Sequence, residues 1–264
     1  MNYAINKNHT IGGKYMGTFS NYKLLDSPYD YMLTYKNNEL LTSTDNKTDE
    51  SEKEKFHNVN AYYIGKLSDK LQFNLDADYV YSQLNHQQQV TETSQTDASS
   101  ELTHMQNDQR NRAVAFKGVF AWDITEKHGF DFGADFSKIS SWGISVNEEG
   151  KIADDQFKNK EAKYAGFVSY RLSSEKWRGS LGLRYEFVHA INTDQGEVKN
   201  KTNYSDLLPS FSLSTSFGRV DLNLDFSSRV NRPSFRQLNN SVSYNNQYHY
   251  EQGNIYLKPQ YVYD

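Results

Sequence analysis

Residues 112–144 read RAVAFKGVFAWDITEKHGFDFGADFSKISSWGI, and their rhythm decides the fold class. In the first limb Val114, Phe116, Gly118, Phe120, Trp122 and Ile124 share one side, with Ala113, Ala115, Lys117, Ala121 and Asp123 on the other. In the second limb Phe130, Phe132, Ala134 and Phe136 fall together, opposite Asp131, Gly133, Asp135 and Ser137. A step of two is the side-chain period of a β-strand, so this stretch predicts a hairpin with one apolar and one polar face.

The same pattern recurs along the chain. Residues 10–19 set Ile11, Gly13, Tyr15, Gly17 and Phe19 outward. Residues 56–67 and 71–81 form a hairpin around Ser68, Asp69 and Lys70, and its second strand alternates Leu71, Phe73, Leu75, Ala77, Tyr79 and Tyr81 with Gln72, Asn74, Asp76 and Asp78. Residues 161–172 and 178–191 pair next, the latter with Leu181, Leu183, Tyr185 and Phe187 against Gly182, Arg184 and Glu186. Residues 205–217 turn tightly at Gly218-Arg219 into 220–230, where Val220, Leu222, Leu224 and Phe226 oppose Asp221, Asn223, Asp225 and Arg229. Strand stumps are expected at residues 1–5 and from about 257 onward. Between the hairpins lie stretches read as long connections: 20–55, 82–111, 145–160, 192–204 and 231–256. The first holds a small hairpin of its own, YMLTY against ELLTST, and the run DNKTDESEKEK at 45–55 reads as a solvated loop.

Composition narrows the class. The 264 residues are 36% hydrophobic with a mean hydropathy of −0.85, and no run of about 18 apolar residues exists to form a transmembrane helix. A barrel strand, apolar only at alternate positions, keeps such an average polar while still crossing a bilayer. Twenty Tyr and fifteen Phe argue against disorder, and only four Pro interrupt the strands. There is no Cys, which removes disulfides and thiolate metal sites. The net charge of −4 leaves no footprint for nucleic acid. The residues after Met1 form neither a basic nor an apolar segment, so an export signal is expected upstream of it.

Short turns at one rim alternating with long connections at the other are the layout of an outer-membrane barrel. Alternation over 10 to 15 residues exceeds the roughly 5–6 of a soluble sandwich strand and matches the roughly 9–11 tilted residues that cross a bilayer. Trp122 and Phe130 flank a short turn, and Trp142 sits twelve residues up the same strand on the same face. At about 3.4 Å per residue and a tilt near 40°, that rise is about 30 Å, room for an apolar band with an aromatic girdle at each edge. The expected fold is therefore all-β, an antiparallel up-and-down meander of about 10–11 long strands, open as it stands and part of a larger transmembrane β-barrel over residues 1–264.

No catalytic, cofactor or metal constellation is expected. The seven His (His9, His57, His86, His104, His128, His189 and His249) show no ligand spacing, and no nucleophile motif is present. Asp76, Asp78, Asp131, Asp135, Arg184, Glu186, Asp221 and Asp225 fall on the polar face and are the candidate lumen lining. A lumen is polar because water fills it, and that is the simpler reading of these charges. Pro233 cannot donate to a ladder, so pairing should end there, leaving Arg229 and Arg232 near the strand end to pin the next loop to carboxylates or carbonyls.

Leu208-Pro209-Ser210, then Arg229-Val230-Asn231-Arg232-Pro233-Ser234-Phe235-Arg236-Gln237-Leu238-Asn239, then Gln252-Gly253-Asn254 and Leu257-Lys258-Pro259 resemble the barrel of TonB-dependent outer-membrane receptors, in particular the outer membrane β-barrel family. Asn240, Ile255 and Gln260 depart from that pattern, standing where it has proline, proline and an acidic residue. The resemblance implies that Arg229, Arg232, Pro233, Leu238, Asn239, Gly253, Asn254, Leu257 and Pro259 form a structural loop clamp. It implies a barrel of about 22 strands around a plug domain. Such a barrel sits in outer-membrane lipid and takes up a scarce nutrient, a siderophore or glycan, with energy from the TonB protein. The plug, the partner-binding box and the remaining strands would belong to other parts of the full-length chain. The alternatives are a plugless passive porin or surface adhesin, and a secreted β-sandwich binding module.

Overall fold

A computed structural model of the chain describes residues 1–25, 30–235, 237–239, 242–247 and 249–264. Among them the regular elements are all strands: β1 Asn2–Asn6, β2 His9–Leu24, β3 Asp30–Lys36, β4 Glu39–Ser68, β5 Leu71–Ser94, β6 Ser100–Asp123, β7 His128–Asn147, β8 Asp155–Ser173, β9 Trp177–Asp194, β10 Glu197–Phe217, β11 Val220–Asn231, β12 Val242–Asn246, β13 His249–Gln252 and β14 Gln260–Tyr263. Twelve form one sheet in the order β1-β2-β4-β5-β6-β7-β8-β9-β10-β11-β14, with β3 paired to β4 off that path. Every pairing is antiparallel and the two ends of the path do not meet, so the meander is an open sheet.

The pairing register shows why one face is apolar across the whole sheet. Leu75 stands opposite Gly118, Gly118 opposite Ala134, Ala134 opposite Gly166, Gly166 opposite Tyr185 and Tyr185 opposite Leu207. One residue along, Asp76, Lys117, Asp135, Ala165, Glu186 and Asp206 make the matching row on the other face. Because the strand period is two, each row keeps its face from strand to strand. Aromatic rings tie the apolar face together: Phe73 lies 4.4 Å from Phe120, Phe120 5.3 Å from Phe132, and Phe136 5.0 Å from Tyr164. Burial runs opposite to a water-soluble sheet. Leu181 is 59% and Leu224 62% exposed on the apolar face, while Glu186 is 6% and Asp206 4% exposed on the polar one. An apolar surface so broad and open is a surface for lipid.

Two expectations need correction. The stretches read as long connections are mostly ladder. β4 runs for 30 residues and β5 and β6 for 24 each, so pairing continues through 39–55, 82–94 and 100–111. The charge run at 45–55 is strand too, with Glu54 opposite Leu84 and Ser20. Apolar alternation fades there because the inward face packs mostly polar side chains, Thr44, Asn46, Glu92 and Thr103 among them, but backbone hydrogen bonding does not require it, so periodicity underestimates strand length. The small hairpin stands, with Leu33 opposite Ser43. Its turn is Asn37-Asn38, both at positive φ, and Gln195-Gly196 likewise turns β9 into β10, the geometry of two-residue hairpin loops. Gly218, at φ 65°, opens the tight turn into β11 as expected. The second correction concerns 231–256, which carries a hairpin of its own, β12 against β13.

Candidate functional site

The segment after β11 folds onto the polar face, and charge holds it there. Pairing of β11 ends at Asn231, directly before Arg232-Pro233. Arg232 Nη2 then donates to Glu186 Oε2 at 2.8 Å and Asp206 Oδ2 at 2.9 Å. Glu186 also accepts from Arg184 Nε at 2.7 Å, and Arg184 Nη1 reaches Asp135 Oδ2 at 2.7 Å. On the far side Tyr261 donates from its hydroxyl to Asp206 Oδ1 at 2.7 Å. Three carboxylates, two guanidiniums and a phenol thus form one network joining β7, β9, β10, β14 and the returning segment. Its centre is dry: the side chains of Arg232, Glu186 and Asp206 are 15%, 8% and 2% exposed. Buried charges are tolerated only when paired and hydrogen-bonded; both carboxylates are, and Arg232 is held through Nη2 while its Nε is buried without a partner.

Farther from the short turns, a second row crosses the polar face. Ser82, Asn111, Ser141, Asn159, Asn192 and Asn200 stand opposite one another in turn from β5 to β10. Ser141 and Asn159 are essentially inaccessible, and Asn159 Nδ2 has no hydrogen-bond partner. The returning segment closes over this row where Asn200 Nδ2 donates to the carbonyl of Ile255 at 2.8 Å. A third anchor lies higher still. Tyr244 of β12 donates to Glu92 of β5, whose other oxygen accepts from the backbone of Gln247 at 3.0 Å. Burial and the Glu92 carboxylate push the Tyr244 hydroxyl well above its ordinary pKa, keeping it a donor. Around it Val90, Met105 and Ile152 form a small apolar cluster. Between the returning segment and the wall remains a cavity of about 680 Å³.

The candidate residues divide accordingly. Arg232 is in the network, and Arg229 instead meets Asp264 at 3.3 Å. Leu238 donates its backbone N–H to the carbonyl of Ser234, Asn254 to that of Gln237, and Leu257 to that of Asn254, so Leu238, Asn254 and Leu257 fold the segment on itself. Asn239, Gly253, Asn254 and Leu257 line the cavity, and Pro259 immediately precedes β14. Arg236 and Asn240 of the motif lie outside the described residues. Of the polar-face set, Asp135, Arg184 and Glu186 come together. Asp131 pairs with Arg171 at 2.8 Å, Asp78 accepts from Asn60 at 2.9 Å, Asp221 accepts from Ser216 at 2.6 Å, and Asp76 and Asp225 share the face without joining the network.

Sequence reasoning missed Asp206, Tyr261, Glu92 and Tyr244. Asp206 was within reach, since it keeps the polar phase of Ser210 and Ser212. Glu92 and Tyr244 were not, being 152 residues apart and joined only by the fold. The ladder also brings His104, Glu148 and Glu149 within 4.8 Å of one another at the β6–β7 rim, a grouping that spacing along the chain does not reveal. There burial raises the Glu149 carboxyl, but hydrogen bonds from the His104 backbone and ring together lower it on balance.

Residues 66–264 match the outer membrane protein beta-barrel family. Among solved structures, the siderophore receptor PiuA from Acinetobacter baumannii is similar over 86% of this chain and 43% of its own, at 10% identity and a TM-score of 0.48. The ferric preacinetobactin receptor BauA from the same organism is similar over 85% and 40%, at 10% identity and 0.45. The copper transporter OprC is similar over 88% and 42%, at 10% identity and 0.45. The chain thus spans less than half the length of these structures. No curated protein matches it. Its alternating strands, lipid-ready outer face and family match agree: the chain belongs to the outer membrane protein beta-barrel family, and its place is the bacterial outer membrane.

Proposed function

We propose that residues 1–264 are one partial transmembrane domain, the barrel portion of a TonB-dependent receptor that takes up a scarce nutrient, a transport protein and not an enzyme. The observation that carries this reading is the open path. Eleven strands in unbroken meander order, the twelve of the sheet less β3, run from β1 to β14 without meeting. A wall that has not closed after eleven strands belongs to a wide barrel, and barrels of about 22 strands have a lumen too wide for side chains to fill and carry a plug. The eight charged candidates, Asp76 through Asp225, are then the lumen wall against which that plug and the returning segment pack. The partners are outer-membrane lipid on the apolar face, the plug and remaining strands, and the TonB protein acting through the plug.

The test uses the full-length protein. In planar bilayers it should show no steady conductance, and uptake in cells should stop when a protonophore collapses the energising gradient. A steady open pore with uptake indifferent to the protonophore would establish the passive porin instead. Surface attachment lost on deletion, with no uptake, would establish the adhesin.

A further inference from the structure

We propose that the outer face of the sheet holds a phosphorylated lipid by its headgroup, in a basic pocket at the rim away from the short turns. The strand period places the parts. On β6 that face runs Trp122, Phe120, Gly118, Phe116, Val114 and then changes to Arg112 and Arg110. On β8 it runs Tyr170, Val168, Gly166, Tyr164, Ala162 and then changes to Lys160 and Lys158. Ten residues separate Trp122 from Arg112. At about 3.4 Å per residue and a tilt near 40° that is about 26 Å along the axis, the height of an apolar band, so the cations stand at headgroup level. One row passes from His57 on β4 through Tyr81, Arg112, Ser140 and Lys160 to Lys201 on β10. The next passes from Phe19 on β2 through Lys55, Gln83, Arg110 and Trp142 to Lys158. Six cations lie in these two rows and no carboxylate. The run Glu52-Lys53-Glu54-Lys55 shows the sorting: its glutamates fall on the lumen side, where Glu52 lines the cavity, and its lysines fall outward. Asp108, one row farther out, already accepts from Asn85.

Arg110, Arg112, Ser140, Trp142 and Lys158 line a pocket of about 240 Å³ within these rows. The Arg110 guanidinium lies 5.4 Å from the centre of the Trp142 ring, and that of Arg112 5.8 Å from the centre of Tyr81. A ring face steadies a guanidinium without consuming its N–H donors, which stay free for the bidentate contact that a phosphate makes. None of the six cations is in an ion pair among the described residues. Below the pocket on the same strands Phe116, Gly118, Ala134, Phe136, Tyr164 and Gly166 line an apolar groove of about 400 Å³. It is hollow because Gly118, Ala134 and Gly166 stand opposite one another in one row. A free anion would use the pocket alone, whereas a lipid uses both, its phosphate in the pocket and an acyl chain along the groove. The rim away from the short turns faces outward in such barrels, so the lipid is one of the outer leaflet. This site depends on the chain's place in the outer membrane and not on its reading as an uptake receptor.

The full-length protein, exchanged into a non-ionic detergent, would be mixed in turn with bisphosphorylated lipid A, its dephosphorylated form, inorganic phosphate and a heparin oligosaccharide, and bound species read by native mass spectrometry. Bisphosphorylated lipid A should be retained and the other three released. Arg110→Gln together with Arg112→Gln should weaken retention at least about tenfold, the effect of a lost hydrogen bond to a charged group. Gly166→Leu, whose added Cβ meets nothing nearer than 4.0 Å, should fill the groove and weaken it as well. Both variants should keep heat-modifiable gel mobility, which reports a folded barrel. Equal retention of the dephosphorylated form would show that phosphate is not recognised and would overturn the proposal. Inorganic phosphate or heparin held as tightly as the lipid would make the patch a site for soluble anions and overturn it too. So would failure to retain the bisphosphorylated lipid, or retention indifferent to either variant.

Discussion

At the scale of single residues, the charges on the polar face differ in what they can be spared. Asp76 and Asp225 share a surface with water, whereas Arg232 stands between two carboxylates that the fold has dried. Removing one partner of a buried pair leaves the other uncompensated, a cost of about 3–5 kcal/mol. Arg232→Ala should therefore release the returning segment while leaving the strands paired. Limited proteolysis of the full-length protein should then cut within 237–257, where the unaltered protein resists, with heat-modifiable mobility unchanged. Arg229→Ala, which breaks only an exposed pair with Asp264, should leave the cleavage pattern as it is. A second residue reports on the tip between β5 and β6. Hydrogen bonds from the Ser99 hydroxyl and backbone lower the Asp97 carboxyl to about 2. Its folded pKa lies below the unfolded value, so the turn's gain is present above the ordinary carboxylate range and fades only as pH falls towards 2. Carbon-13 titration in detergent should place the Asp97 midpoint near 2, and Ser99→Ala should move it up towards an ordinary Asp.

At the scale of the element, β6 and β7 show how closely two strands can be made to lie. A Cβ at Gly133 would fall 2.1 Å from the carbonyl oxygen of Gly118 and 2.9 Å from the Phe167 ring. The backbone atom cannot step aside without breaking the ladder, so Gly133→Val should prevent insertion of the full-length barrel, read as loss of heat-modifiable mobility and of the protein from outer-membrane fractions. Gly150→Ala, at a turn with nothing within 4 Å of the added carbon, should fold normally apart from mild strain at its positive φ. The contrast bears on what a sequence discloses. Gly133 sits in the stretch whose alternation gave the fold class, and its face was legible from Asp131 and Asp135 on either side. That it must be glycine was not, because the reason is an oxygen on the neighbouring strand. The extensions of β4, β5 and β6 were illegible for a different cause. Runs such as NHQQQVTETS at 85–94 hold a single apolar residue, Val90, and bury polar Glu92 beside it, so no apolar alternation marks them and only the pairing partner reveals them as strand. The clamp stands between these cases. Arg232-Pro233 marked the end of a strand through proline chemistry, but its carboxylate partners Glu186 and Asp206 are set by register.

At the scale of the whole molecule, the sheet poses a problem that its own residues do not solve. β11 is exposed along Val220–Phe226, and β14 covers only its last residues, with Ser228 opposite Tyr263 and Asn231 opposite Gln260. At the other end β1 is exposed throughout and pairs only with β2. Each outer edge carries backbone N–H and C=O groups without a ladder partner among the described residues, and in lipid such groups cost several kcal/mol apiece. In water the edges are tolerable but the apolar face is not, since Leu181, Leu207, Leu222 and Leu224 are each more than half exposed there. Closure would remove both penalties, but it requires the first and last strands to pair at a stagger set by strand number and tilt, and the path from β1 to β14 is still open. Residues 1–264 produced alone should therefore pair edge to edge between molecules, the usual fate of uncovered strands. They should sediment without detergent, show a β-rich circular dichroism spectrum when solubilised, and give no unitary conductance in planar bilayers. If, as proposed, a wider barrel supplies strands to both edges, the same residues should become resistant to protease along β11 and run as a compact species before heating. A soluble monomer of 1–264 that unfolds cooperatively would mean that the two edges find each other, and the wide-barrel reading would fall with it.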